Sequence, residues 1–205
     1  MNVLYSKIEN DYSLTVIQLT ESLQELINSL DNFEKYKVAF EKLSTDKRRR
    51  EFLSARVLIN NMLNKQVRIE YTESGKPFLA NHQGNISISH SKDFLAILYH
   101  ASKSVGVDIE CPTERVLKVS KRFLNIDEQL YFKDDLLKIQ LAWSAKEALY
   151  KLVGERAVVF STSMCIQNFV LADQGILSCE LLQESMIYRL YYLVTNQYNL
   201  VYTIQ

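Results

Sequence analysis

A chain of 205 residues in which 24 Lys and Arg offset 24 Asp and Glu has no global field to draw it onto nucleic acid or an anionic membrane, so any charged ligand must be met by local clusters. A hydrophobic content of 47% supports one large domain or two small lobes sharing an interface. Cys111, Cys165 and Cys179 are odd in number and widely spaced, which argues against a disulfide framework or a zinc site. The opening MNVLYSKIEND lacks a signal-peptide pattern, and no apolar run approaches ~18 residues. The expectation is a cytoplasmic protein with reduced thiols and no membrane span.

Val3 to Ile8 and Leu14 to Leu19 read as short strands around an Asn10-Asp11 turn, followed by a helical region over 21–42. Asp46 is placed to cap a further helix, in which Phe52, Ala55, Ile59, Met62 and Leu63 recur at three- and four-residue spacing. After Lys65 the texture turns to strands and turns: VRIEYTESGKPFL, NISISHS, FLAILYH and SVGVDIE. Helix returns over 116–153, with Gly154 at the C-terminal cap position. The last stretch is strand again, with a hairpin expected around Asp173-Gln174-Gly175. Helices followed by strands thus occur twice, which predicts an α+β protein of two similar lobes, residues 1–102 and 103–205. Two prolines and no Ser/Gly/Pro-rich linker argue against a flexible tether between them.

In a strand Gly106, Asp108 and Glu110 share one face, so two carboxylates stand together above a residue with no side chain. Alone, this is most simply a solvated strand face; functionally it suits a hard cation such as Mg²⁺, which takes carboxylate oxygens together with substrate phosphates. On a helix Trp143, Glu147 and Lys151 form one stripe, and alone Glu147 and Lys151 are a surface pair contributing about 0.2–0.5 kcal/mol. With Asp108 and Glu110, Glu147 would complete a metal site, and Lys146 and Lys151 would counter a phosphate. Ser87, Ser89, His90 and Ser91 offer hydroxyls and an imidazole at a strand end, whereas His82 and His100 read as structural. Gly75-Lys76-Pro77 is a turn and not a P-loop. DKRRRE, residues 46–51, is a solvated helix start or a phosphate clamp.

In order and spacing, GKP (75–77), ISHS (88–91), GVDIE (106–110) and WSAKEALYK (143–151) resemble the signature of the 4'-phosphopantetheinyl transferases, specifically the monomeric surfactin-synthetase-activating type. The resemblance implies two similar α/β lobes related by a pseudo-twofold, with coenzyme A between them. It implies an enzyme that moves the 4'-phosphopantetheine arm of coenzyme A to a serine of an acyl or peptidyl carrier protein, releasing adenosine 3',5'-bisphosphate. Asp108, Glu110 and Glu147 would ligate Mg²⁺, Glu147 or a water it orients would take the serine proton, and Lys151 would stabilise charge on the phosphate. Ser89, His90, Lys76, Arg56, Lys146 and Lys151 would contact coenzyme A, with Arg48 the first choice among residues 47–50 for the 3'-phosphate. The basic run Arg115, Lys118, Lys121 and Arg122 would meet an acidic carrier. Cys111-Pro112 after GVDIE departs from the usual polar or basic residue there. The expected partners are the carrier and coenzyme A, with no nucleic acid or membrane, and the expected state is a monomer. Rival readings are a non-catalytic coenzyme A or carrier binder of the same fold and a Mg²⁺ phosphohydrolase.

Overall fold

β1 (Asn2–Ile8) and β2 (Tyr12–Gln18) form where alternating residues meet a short polar turn, and they pair antiparallel. The computed structural model describes residues 1–80, 83–154 and 158–205 of an α+β protein that divides into two compact units, Met1–Ser102 and Lys103–Gln205.

In the first unit, the expected single helical region is two short helices, α1 (Leu23–Asn28) and α2 (Glu34–Glu41). The Ser22–Glu25 capping box starts α1, and its last turn closes on Ser29, whose N–H returns to the carbonyl of Glu25 at 3.0 Å. The long helix α3 (Asp46–Leu63) is capped by Thr45 and not by Asp46, because Thr45 is the residue with extended backbone and its hydroxyl accepts from the Arg48 N–H at 3.2 Å. Asn64 ends α3 in the left-handed conformation. A two-stranded ribbon, β3 (Ile69–Tyr71) and β4 (Pro77–Leu79), precedes β5 (Asn85–Ser91) and β6 (Phe94–His100), and the main sheet runs β1-β2-β6-β5. One face of α3, with Ala55, Leu58 and Ile59, packs on Ile17, Leu95 and Ile97 of that sheet. Its other side, Leu53 and Val57, packs on Leu26, Leu30 and Tyr36.

The second unit is a five-stranded antiparallel sheet under one long helix. Its strands are β7 (Val105–Glu110), β8 (Met164–Ile166), β9 (Gln174–Leu181), β10 (Met186–Val194) and β11 (Asn199–Ile204), in the order β7-β11-β10-β9-β8. The expected hairpin at Asp173-Gln174-Gly175 is not a hairpin: Gln174 and Gly175 pair with Leu193 and Tyr192 inside β9, and the chain reverses instead over 182–185, where Ser185 takes φ 51°. The helical region over 116–153 is divided into α4 (Arg115–Val119), a 3₁₀ turn (Ser120–Arg122), α5 (Ile126–Phe132) and α6 (Leu136–Val153), with the short α7 (Phe160–Ser163) beyond. Asn125 and Glu128 form a capping box at α5, and Gly154 closes α6 with φ 83°.

α6 lies directly on β7. A Cβ built on Gly106 would stand 1.9 Å from the carbonyl oxygen of Ala148, so only glycine allows helix and strand to approach this closely. Gly106→Ala is therefore expected to cost about 3 kcal/mol, since the clashing atom is backbone and cannot rotate away. Unfolding followed through Trp143, the single tryptophan, checks this; a midpoint equal to wild type would show that α6 can lift at no cost.

Candidate functional site

The residues that the close approach brings together are the charged ones. On β7, Asp108 and Glu110 project from the same face as Gly106, toward α6. On α6, Trp143, Glu147 and Lys151 recur every fourth residue. Lys151 Nζ lies 2.7 Å from Asp108 Oδ1 and donates to the Val107 carbonyl at 3.1 Å. At the other end of the stripe the Trp143 indole N–H reaches Glu110 Oε1 at 3.4 Å, and Gln140 Nε2 donates to the Cys111 carbonyl at 2.7 Å. Between them Glu147 is half-buried. Burial and then the Asp108 carboxylate push its carboxyl from 4.5 up to about 7, with Glu110 adding to the rise and Lys151 opposing it.

The donor set fits a hard divalent cation: all three acidic groups offer oxygen, and the mutual repulsion that raises Glu147 is what a bound cation would relieve. Among the described residues no three His, Cys, Asp or Glu side chains are grouped closely enough to grip an ion as they stand. Asp108 is engaged by Lys151 through Oδ1.

Lys146 departs from expectation. Helix geometry turns it about 100° away from Glu147, and its side chain is completely buried. Its ammonium pairs with Glu128 at 2.7 Å and donates to the carbonyls of Phe123 (2.7 Å), Met164 (3.0 Å) and Phe160 (3.2 Å). Glu128 in turn accepts from the Ile166 N–H and the Asn125 N–H, each at 2.7 Å. Lys146 therefore cannot contact a coenzyme phosphate; it joins α6 to α5 and β8. Burial pushes its ammonium down, and Glu128 holds it up.

The first unit has its own candidate site, a cavity of about 460 Å³ lined by Arg48, Glu51, Phe52, Tyr71, Pro77 and His90 among others. Arg48 enters it from the first turn of α3 and His90 from β5, with Gly75 and Pro77 on either side of Lys76. The turn that presents them is closed by Thr72, whose N–H donates to the Lys76 carbonyl at 3.0 Å and whose hydroxyl accepts from the Lys76 N–H at 3.1 Å. Glu51 was missed by the sequence reading: it is 6% exposed and sits among Arg48 Nη1 at 3.8 Å, Lys47 Nζ at 3.9 Å and His90 Nε2 at 3.6 Å. Its signal was its position three and four residues after cations in DKRRRE. Arg49 points elsewhere, pairing with Asp46 at 3.2 Å and lying over the Phe40 ring.

Three expected coenzyme contacts in this unit, Lys76, Arg56 and Ser89, are not among the residues lining this cavity, although Gly75 and Pro77 on either side of Lys76 are. Arg56 is 3% exposed, with its guanidinium 3.4 Å over the Phe52 ring, 5.3 Å from the Tyr36 ring and bonded to the Phe52 carbonyl. Burial lowers its pKa, and the Tyr71 phenol beside it opposes that fall. Arg56 thus backs the cavity wall through Phe52 and Tyr71. Ser89 is on the opposite face of β5 from His90, because strand side chains alternate, and it is buried there. His100 is buried and accepts from the Ser102 N–H at 3.1 Å, a structural role; His82 lies outside the described residues.

Residues 104–202 match the family model of the 4'-phosphopantetheinyl transferase superfamily. Among curated proteins, the chain is 31% identical over 118 residues to 4'-phosphopantetheinyl transferase AcpT of Salmonella typhi, covering 54% of this chain and 62% of that one. It is 23% identical over 162 residues to 4'-phosphopantetheinyl transferase gsp of Aneurinibacillus migulanus, covering 76% and 66%. It is 27% identical over 134 residues to a phosphopantetheinyl transferase of a Thraustochytrium species, covering 52% and 46%. The chain thus spans about half to two thirds of the length of these relatives. Among the described residues no helix is long and apolar enough to cross a membrane.

Proposed function

We propose that the protein transfers the 4'-phosphopantetheine arm of coenzyme A to a serine of an acyl or peptidyl carrier protein, releasing adenosine 3',5'-bisphosphate, a reading supported by the match of residues 104–202 to the model of the 4'-phosphopantetheinyl transferase superfamily. The observation that carries the reading is the meeting of Asp108, Glu110, Glu147 and Lys151 between β7 and α6, inside the matched segment.

Asp108, Glu110 and Glu147 would hold a divalent cation, Mg²⁺ by their chemistry, which when bound would neutralise charge on the pyrophosphate. Glu147, raised to about 7, is a carboxylate with enough basicity to accept the serine proton near neutral pH. Lys151, paired with Asp108 and close enough to act on Glu147 electrostatically, would stabilise the charge that gathers on the transferred phosphate. Coenzyme phosphates would be met by Arg48, Lys76 and His90 in the first unit, and Glu51 would keep Arg48 and His90 directed into the cavity. The reading assigns the two units to the two lobes of the family's pseudo-symmetric fold and takes the protein to act as a cytoplasmic monomer. Arg115, Lys118, Lys121 and Arg122 are exposed on α4 and the 3₁₀ turn, beside the apolar Val119, and suit an acidic carrier.

The test is to incubate apo fatty-acid and peptide carriers with coenzyme A and Mg²⁺ and measure intact mass. The carrier is expected to gain one phosphopantetheine. Coenzyme A binding with no mass gain on any carrier would instead identify a non-catalytic binder. His90→Ala and Lys76→Ala are each expected to raise the KM for coenzyme A about tenfold with little change in kcat, as fits loss of one charge-assisted phosphate contact. An unchanged KM would remove both from the coenzyme site.

A further inference from the structure

Asn199 opens β11 and is fully buried, yet neither the oxygen nor the nitrogen of its carboxamide has a hydrogen-bond partner among the described residues. A buried amide in that condition is unfavourable, so its retention calls for a ligand that satisfies it. Its position indicates which ligand. Asn199 is directly opposite Glu110 in the β7–β11 ladder, and opposite residues share a face. That face is the one covered by α6, since it also carries Gly106 against Ala148.

Ser144 answers it from the helix. Ser144 is fully buried, and its hydroxyl too has no partner among the described residues. It shares a stripe with Gln140, which bonds to the Cys111 carbonyl, and with Ala148, which meets Gly106. It therefore faces the sheet at the level of Asp108 and Glu110. Two buried polar side chains, one on β11 beside Glu110 and one on α6, thus face the layer between sheet and helix.

We propose that Asn199 and Ser144 are positioning residues of this site: with a divalent cation bound, Asn199 Nδ2 would turn to donate to the Glu110 carboxylate, while Asn199 Oδ1 and Ser144 Oγ would accept from a water held by the cation. The chemistry matches at each atom. A carboxylate only accepts, so it requires the amide N–H; a cation-bound water is a strong donor, so it requires the amide and hydroxyl oxygens. Small hard cations retain several waters, and the groups behind the ligands set affinity as well as geometry. The proposal rests on the cation reading above and goes beyond it in naming what fixes Glu110.

Mn²⁺ binding to the full chain, measured by electron paramagnetic resonance with and without coenzyme A, tests it. Asn199→Leu, which keeps the volume and removes both polar atoms, is expected to bind Mn²⁺ about tenfold more weakly while the ion-free protein melts no lower than wild type. Ser144→Ala is expected to show a smaller loss of the same kind and carries the test if Asn199→Leu does not fold. A lower melting temperature with Mn²⁺ affinity unchanged in both variants would mean a packing role and overturn the proposal. If the wild-type protein itself binds no Mn²⁺, the cation reading fails first, and this inference with it.

Discussion

Glu147→Gln is expected to slow transfer about 10²–10⁴-fold and, in the same protein, to raise the melting temperature at pH 8. The two effects share a cause. Burial and the Asp108 carboxylate lift the Glu147 carboxyl from 4.5 to about 7, so the folded protein holds that proton more tightly than the unfolded chain does. Below about pH 4.5 both states carry the proton and the contribution to stability is fully present. Between 4.5 and 7 the unfolded chain releases its proton first, so raising the pH favours unfolding, and above 7 the contribution has been lost. Discounted for the solvent that reaches a half-buried group, the loss at pH 8 is about 2 kcal/mol. Glutamine keeps the shape and never ionises, so this part of the pH dependence should vanish. Melting scans of both proteins at pH 5 and pH 8, with no added metal, give the comparison. Curves that stay parallel across that range would mean that Glu147 is not in the environment described here.

The second large effect concerns the neighbouring residue. Lys146→Met should destabilise the protein by about 3–5 kcal/mol, because it leaves the Glu128 carboxylate buried without its cation. The double variant Lys146→Met/Glu128→Leu should recover only part of that, since Glu128 also accepts from the N–H groups of Asn125 and Ile166. Urea unfolding of the four proteins of the cycle measures the coupling. The same variant separates the structural role from the one expected from the sequence: its folded fraction should keep the wild-type KM for coenzyme A. A raised KM with little loss of stability would restore Lys146 to the coenzyme site.

The helix stripe of Trp143, Glu147 and Lys151 and the strand face of Gly106, Asp108 and Glu110 were legible because both depend only on local periodicity. The glycine could be read as making room, and the structure shows what fills it, the backbone of Ala148. Lys146 was misread because charge alone does not reveal which side of a helix is buried. Its partner carried a signal in the N-x-x-E pattern of Asn125 and Glu128, which marks a helix start, but nothing local indicates that the carboxylate also reaches α6 and β8. Ser89 and His90 were grouped because they are adjacent, although strand alternation sends them to opposite faces. The helix boundaries in 21–42 and 116–153 were hidden because the breaks are made by caps and turns and not by proline or glycine.

α6 is bonded along its whole length to different parts of its unit: Gln140 to Cys111, Trp143 to Glu110, Lys146 to Glu128, and Lys151 to Val107 and Asp108. A helix pinned at four levels cannot slide or roll to suit one substrate and then another. Under the proposed function, tolerance for varied carriers would rest with the exposed residues of α4 and the 3₁₀ turn. Mutations that broaden or redirect partner choice can then accumulate there without disturbing the alignment of the reacting groups.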